Sequence, residues 1–142
     1  MEKVIPINTS QNVAKSPADR SPQNQPPHQL ISDRNQLRLH QRLQGSLDVG
    51  SLINHFFVWL SEQQPLGSVE YVYPDDDISL ISGSLRVHKA HYTLRLQKRY
   101  LGDLTISSQK RFSEQDLFVH EQSIGCLAHY LKNALDFRAM EK

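Results

Sequence analysis

Seven histidines, one cysteine and a run of three aspartates are the residues of this 142-residue chain best suited to chemistry. His88 and His91 have an H-x-x-H spacing, but they flank an expected strand break rather than sharing a helix face. A metal site usually draws three or four ligands, and no cysteine or further histidine lies nearby in sequence. His120 and His129 are nine residues apart on an expected helix and so point in nearly opposite senses. His55 falls beside an apolar helical face, as a boundary residue. Surface or edge-strand histidines are therefore expected, and no metal. Asp75-Asp76-Asp77 follows Pro74 between two strand signals and reads as a turn, because the calcium-loop pattern D-x-[DN]-x-[DN]-G is absent. Cys126 sits between Ile124 and Leu127 and reads as a small buried apolar residue. A nucleophilic thiol would need a neighbouring cation or a helix N-terminus. There is no glycine-rich phosphate loop and no G-x-S-x-G elbow. No nucleophile, base and orienting group assemble from the sequence, so neither an enzyme nor a bound cofactor is expected.

The remaining constellation lies on an expected sheet. Tyr71, Tyr73 and Tyr92 occur at alternating positions, with Glu70 and Arg95 beside them. Such a set could wall a small-molecule pocket, with the charged groups fixing a ligand. The competing reading, which is favoured, makes the tyrosines part of a helix-covered sheet face.

Period and capping chemistry define the elements that would carry these residues. A first helix starts near Ser32-Asp33 and carries a thin apolar stripe, Leu37, Leu39 and Leu43. Asp48 is a good N-cap for a second helix, with Leu47 and Leu52 spaced as a hydrophobic staple. Val49, Leu52, Ile53, Phe56, Phe57 and Leu60 then define one helical face, and Pro65 and Gly67 end it. The period changes to two over Val69–Tyr73, Ile78–Leu80, Leu85–Val87, Tyr92–Leu96 and Tyr100–Ser107, which gives about five antiparallel strands with one covered face. Ser113 and Asp116 have capping-box spacing ahead of a helix that can reach Met140. The fold class is α+β: an antiparallel sheet of about five strands, GAF- or PAS-like, covered by an N-terminal and a long C-terminal helix.

Residues 1–32 are rich in Pro, Ser, Gln and Asn, with few large apolar residues, so they are expected to form a disordered tail. Residues 33–142 form the domain. With 16 basic and 15 acidic residues the net charge is +1, and no field of one sign points to nucleic acid or an anionic membrane. No apolar run approaches the roughly 18 residues of a membrane helix. The first residues lack a secretory signal. A single cysteine suits a reducing compartment, so a cytoplasmic location is expected.

The run YLGDLTISSQKRFSEQDLFVHEQSIGCLAHYLKNAL, Tyr100 to Leu135, resembles the closing segment of GAF domains. Leu101-Gly102-Asp103-Leu104, Phe112, Ser113-Glu114, Leu127-Ala128 and Ala134-Leu135 carry the likeness. The preceding LDVGSLINHFFVWL is similar to the opening helix of such domains, so the resemblance covers about Leu47 to Met140. A narrower likeness is to the compact sensory domains that precede GGDEF diguanylate cyclase domains in bacterial signalling proteins, although no GGDEF motif occurs here. The resemblance implies a regulatory module that dimerises through its flanking helices and relays a signal to an output domain or partner. Leu37, Leu43, Leu131 and Leu135 are the dimer-interface candidates. A small-molecule sensor with a pocket over the sheet is the alternative. The segment Val69–Tyr100 is short for a lidded pocket, which favours relaying over binding.

Overall fold

The computed structural model describes residues 33–140. The expected tail, 1–32, and the capping position at Ser32 lie outside the described residues.

Helix α1 (Asp33–Leu43) is 11 residues long, too short to persist alone in water. Its partner surface is the rest of the domain. Leu39 and Leu43 are buried, the Trp59 indole donates to the Asn35 carbonyl at 3.0 Å, and Arg42 pairs with Glu62 at 2.9 Å. Helix α2 (Val49–Gln63) starts as its sequence dictates: Asp48 is extended and accepts from the Ser51 amide at 2.9 Å. Val49, Leu52, Ile53, Phe56 and Leu60 are buried along one face. Trp59 is fully buried as well, whereas Phe57 is only partly so.

Four antiparallel strands follow: β1 (Ser68–Tyr73), β2 (Ile78–Gly83), β3 (His88–Leu96) and β4 (Arg99–Ser108), in the order β2-β1-β4-β3. The strand expected at Leu85–Val87 does not form, so among the described residues the count is four rather than five. That segment must instead carry the chain from one edge of the sheet to the other, across the ends of β1 and β4. It is tethered on the way, the Ser84 amide to the Gly67 carbonyl at 2.8 Å and the Arg86 amide to the Ser107 hydroxyl at 3.0 Å. Leu85 and Val87 consequently stay exposed. The Pro-Asp-Asp-Asp turn forms as a 3-10 turn over Pro74–Asp76, closed by Asp77 in the left-handed region at φ 56°. Gln97 and Lys98 turn β3 into β4, with φ 52° and 70°, the geometry that suits a two-residue hairpin.

Strand alternation divides the sheet into two faces. Val69, Tyr71, Ala90, Tyr92, Leu94, Leu104 and Ile106 share the face under the helices, and all are buried. Glu70, Val72, His91, Thr93, Asp103 and Thr105 share the other. Helix α3 (Glu114–Met140) has 27 residues, about 40 Å at 1.5 Å per residue. Its start is a reciprocal capping box: the Asp116 amide donates to the Ser113 hydroxyl, and the Ser113 amide to the Asp116 carboxylate, both at 3.0 Å. Its last buried residue is Leu135, so the final turn or so extends past the core.

Candidate functional site

The five pocket candidates do not converge. Tyr71 and Tyr92 are buried in the core. Tyr73 lies half-buried on the same face, beside the Tyr100 ring. Glu70 faces the opposite way, paired across the sheet with Thr105. Arg95 is exposed and lies over the Tyr100 ring at 5.6 Å. Both buried tyrosines lie between sheet and helices, where a sensor would keep its ligand. Tyr71 is accommodated by a backbone irregularity in β4. The register shifts between Leu94 and Arg95, so Leu101 is skipped, and the Tyr71 hydroxyl donates to the Leu101 carbonyl at 2.5 Å. The next residue, Gly102, has φ +116°, and a Cβ there would lie 2.6 Å from the Tyr71 ring. Burial pushes the Tyr71 and Tyr92 phenols up from their usual range.

Tyr92 belongs to a buried polar chain. His120 Nδ1 lies 2.8 Å from the Tyr92 hydroxyl and Nε2 lies 2.7 Å from Gln64 Oε1. The Gln64 oxygen can only accept, so the hydrogen sits on Nε2 and Tyr92 donates to Nδ1. The imidazole is fully buried, with Phe112 edge-on at 5.0 Å, and desolvation pulls it down to about 3. At neutral pH it is a neutral, doubly bonded group that staples α3 to β3 and to the end of α2. Sequence reasoning missed this chain, but a signal was present: His120 lies three residues after Leu117 and four before Ile124, on the apolar face.

On the uncovered face Asp103 is held by the Thr93 hydroxyl at 3.1 Å, the Tyr100 hydroxyl at 2.5 Å and His91 Nε2 at 3.4 Å. His91 Nδ1 in turn meets the Thr105 hydroxyl at 3.1 Å. These cross-strand contacts pin β3 to β4. His88 and His91 both belong to β3, which is unbroken, and an i, i+3 spacing on a strand sends them to opposite faces. Among the described residues no three of His, Cys, Asp and Glu group to hold a metal ion.

The third constellation joins α1 to α3. His40 Nδ1 lies 3.0 Å from the Tyr130 hydroxyl, and Cys126 Sγ lies 3.6 Å from the His40 ring nitrogens. Burial pushes the thiol up to about 12, the opposite of what a nucleophile needs. The cluster packs between the two helices, and Cys126 is half-buried against the core rather than buried within it as expected.

The dimer-interface candidates also separate. Leu43, Leu131 and Leu135 are buried within the chain's own core, and Leu37 alone is exposed, at 56%. The apolar stripes of α1 and α3 serve each other. The exposed apolar residues of the helical layer lie elsewhere. Leu47, Val49, Gly45, Asp48, Phe137 and Arg138 line an open cleft of about 430 Å³ between the α1–α2 turn and the end of α3, and Met140 follows Phe137 by one turn, 81% exposed. Ion pairs fix the same end of α3 to the strands and turns of the sheet, Asp136 to Arg99 at 2.7 Å and Arg138 to Asp76 at 3.3 Å, and Lys132 pairs with Asp136 along the helix at 2.9 Å. The two cations hold the Asp136 carboxyl below its usual range.

No protein-family model, no curated protein and no solved structure matches the chain. Among the described residues no helix is long and apolar enough to cross a membrane.

Proposed function

We propose that the domain is a non-catalytic regulatory module of GAF-like type that relays a signal through α3 to an output partner or domain. The carrying observation is the end of α3. It leaves the core after Leu135, presents Phe137 and Met140, faces the α1–α2 turn across the Leu47 cleft and is ion-paired to the β1–β2 turn through Arg138 and Asp76. A displacement at either turn therefore reaches the same few residues. Placement of the family-like motifs supports the reading: Leu101–Leu104 lie on the last strand, and Ser113 caps the last helix.

The competing reading is a small-molecule sensor, and Tyr71 and Tyr92 lie where it would keep its ligand. Nucleotides and common metabolites are expected to leave the melting temperature of the purified protein unchanged. A ligand present at 100 times its dissociation constant would add about 2.7 kcal/mol, a shift of several degrees for a domain of this size. Such a shift, lost on replacing a residue of the sheet's helix-covered face, would overturn the relay in favour of the sensor.

A further inference from the structure

Leu47, Val49 and Phe137 give the cleft between the α1–α2 turn and the end of α3 its apolar lining. Leu47 and Phe137 are exposed there, and Met140 is exposed one turn beyond. Large apolar side chains left in water beside a concavity mark an interaction site. The cleft holds about 430 Å³, a size that takes a few side chains rather than a folded surface. Asp48 and Arg138 add one charge of each sign. Arg138 is paired with Asp76. That leaves Asp48, exposed and capping α2, as the charge at the cleft with no ion pair among the described residues.

The chain that precedes α1, outside the described residues, supplies an occupant of matching chemistry. Large apolar residues are sparse before Asp33, and they cluster only at Val4-Ile5-Pro6-Ile7 and at Leu30-Ile31. Reach separates the two. The cleft lies past the C-terminal end of α1, at Gly45 and Leu47, whereas the chain enters that helix at Asp33. The helix is about 16 Å long. Ile31 stands two residues before Asp33 and extends only about 7 Å from it, so Leu30-Ile31 falls short of the cleft. The residues between Ile7 and Asp33 can span up to about 90 Å, which sets no such limit on Val4–Ile7. Charge and backbone chemistry agree. Lys3 stands next to Val4, with Glu2 one position further out, and Pro6 has no N–H, so the segment seats its side chains with one donor fewer to leave unbonded.

We infer that the cleft is the docking site of this chain's own segment Val4–Ile7, whose aliphatic side chains pack on Leu47, Val49 and Phe137 with Lys3 beside Asp48. A tether holds its end at an effective concentration in about the millimolar range, so a contact too weak to form between separate molecules forms within one. The docked segment covers the Phe137 surface that an output partner would use. As a block on that partner it deepens the relay reading and rests on it, whereas the contact itself does not.

A spin label at S10C in the full-length C126A variant reads the contact directly. It should broaden the amide signals of Leu47, Val49 and Phe137 by paramagnetic relaxation, spare Gln63 at the far end of α2, and be unaffected by dilution. Adding V4D/I5D to the labelled chain should abolish the broadening. In the chain with its native Cys126, V4D/I5D should quicken exchange of the Phe137–Met140 amides about three- to tenfold, with an unchanged circular dichroism spectrum showing that the fold survives. No broadening at the cleft, equal broadening at Gln63, or broadening and exchange that V4D/I5D leaves as they were would overturn the proposal. Broadening of a label-free chain mixed with the spin-labelled one would also overturn it, by assigning the cleft to a second copy. These readouts report contact alone, so their failure leaves the relay standing. Unchanged α3 exchange on disturbing the α1–α2 turn would sink the relay and leave the contact in place.

Discussion

Between about pH 7 and pH 5 the domain is expected to lose about 2 kcal/mol of stability through one residue, His120. Its imidazole titrates near 6.5 when the chain is unfolded and is pulled down to about 3 in the fold by burial. Below pH 6.5 the unfolded chain binds a proton that the folded chain refuses. Stability therefore falls as pH falls through that window, at a limiting slope of about 1.4 kcal/mol per unit, and the loss stops below the folded value. Well above pH 6.5 the group contributes no slope. Urea unfolding at intervals from neutral to mildly acid pH measures this directly. The variant H120Q retains an acceptor for Tyr92 and a donor for Gln64 but cannot titrate, so it should flatten the curve. Equal slopes in H120Q and the wild type would show that the Tyr92–His120–Gln64 chain does not control acid sensitivity.

A large single-site cost away from the helices is expected at Gly102. Its φ of +116° is a conformation that side chains rarely adopt, and a Cβ would stand 2.6 Å from the Tyr71 ring and 2.9 Å from the Val72 carbonyl. Backbone strain of about 1–3 kcal/mol adds to overpacking of about 1–3 kcal/mol, so G102A should cost about 2–6 kcal/mol. Replacing Tyr71 by leucine in the same chain removes the ring contact and leaves the backbone strain. The double variant should therefore be more stable than the sum of the two single costs implies. Denaturant midpoints at neutral pH give all three values. A loss below about 1 kcal/mol for G102A would contradict the tight seating of Tyr71 in the core.

The parts of this fold that could be read from the sequence are those whose chemistry closes within about four residues. Asp48 with Ser51, Ser113 with Asp116, and the Pro74–Asp77 turn each contain their own partners, and each forms as its spacing dictates. Period also separates most of the inside from the outside along α2, β1 and β3, although on α2 it counts the half-buried Phe57 and leaves out the buried Trp59, and on β1 it misses the buried Ser68. It does not say what covers the inside. Leu43, Leu131 and Leu135 read equally well as a dimer seam or as core, and the choice rests on how three helices pack across 90 or so positions of chain. The same limit hides His120, whose partners stand 28 and 56 residues away. Leu85–Val87 alternates like a strand, yet the sheet order β2-β1-β4-β3 requires those residues to cross the ends of two strands. Of the candidate pocket, the alternation favoured a helix-covered place for the tyrosines, and Tyr71 and Tyr92 are buried there, whereas Glu70 faces the other side of the sheet.

Amide hydrogen exchange on the L47D variant tests the relay most directly. Leu47 lines the cleft opposite Phe137, so a carboxylate there disturbs the α1–α2 turn without entering the sheet. The account predicts that exchange quickens about tenfold in the last two turns of α3, from Lys132 to Met140, while amides of β1 and β4 keep their wild-type rates. Unchanged exchange in α3, or a uniform increase throughout the domain, would contradict a signal passed from that turn to the end of the helix.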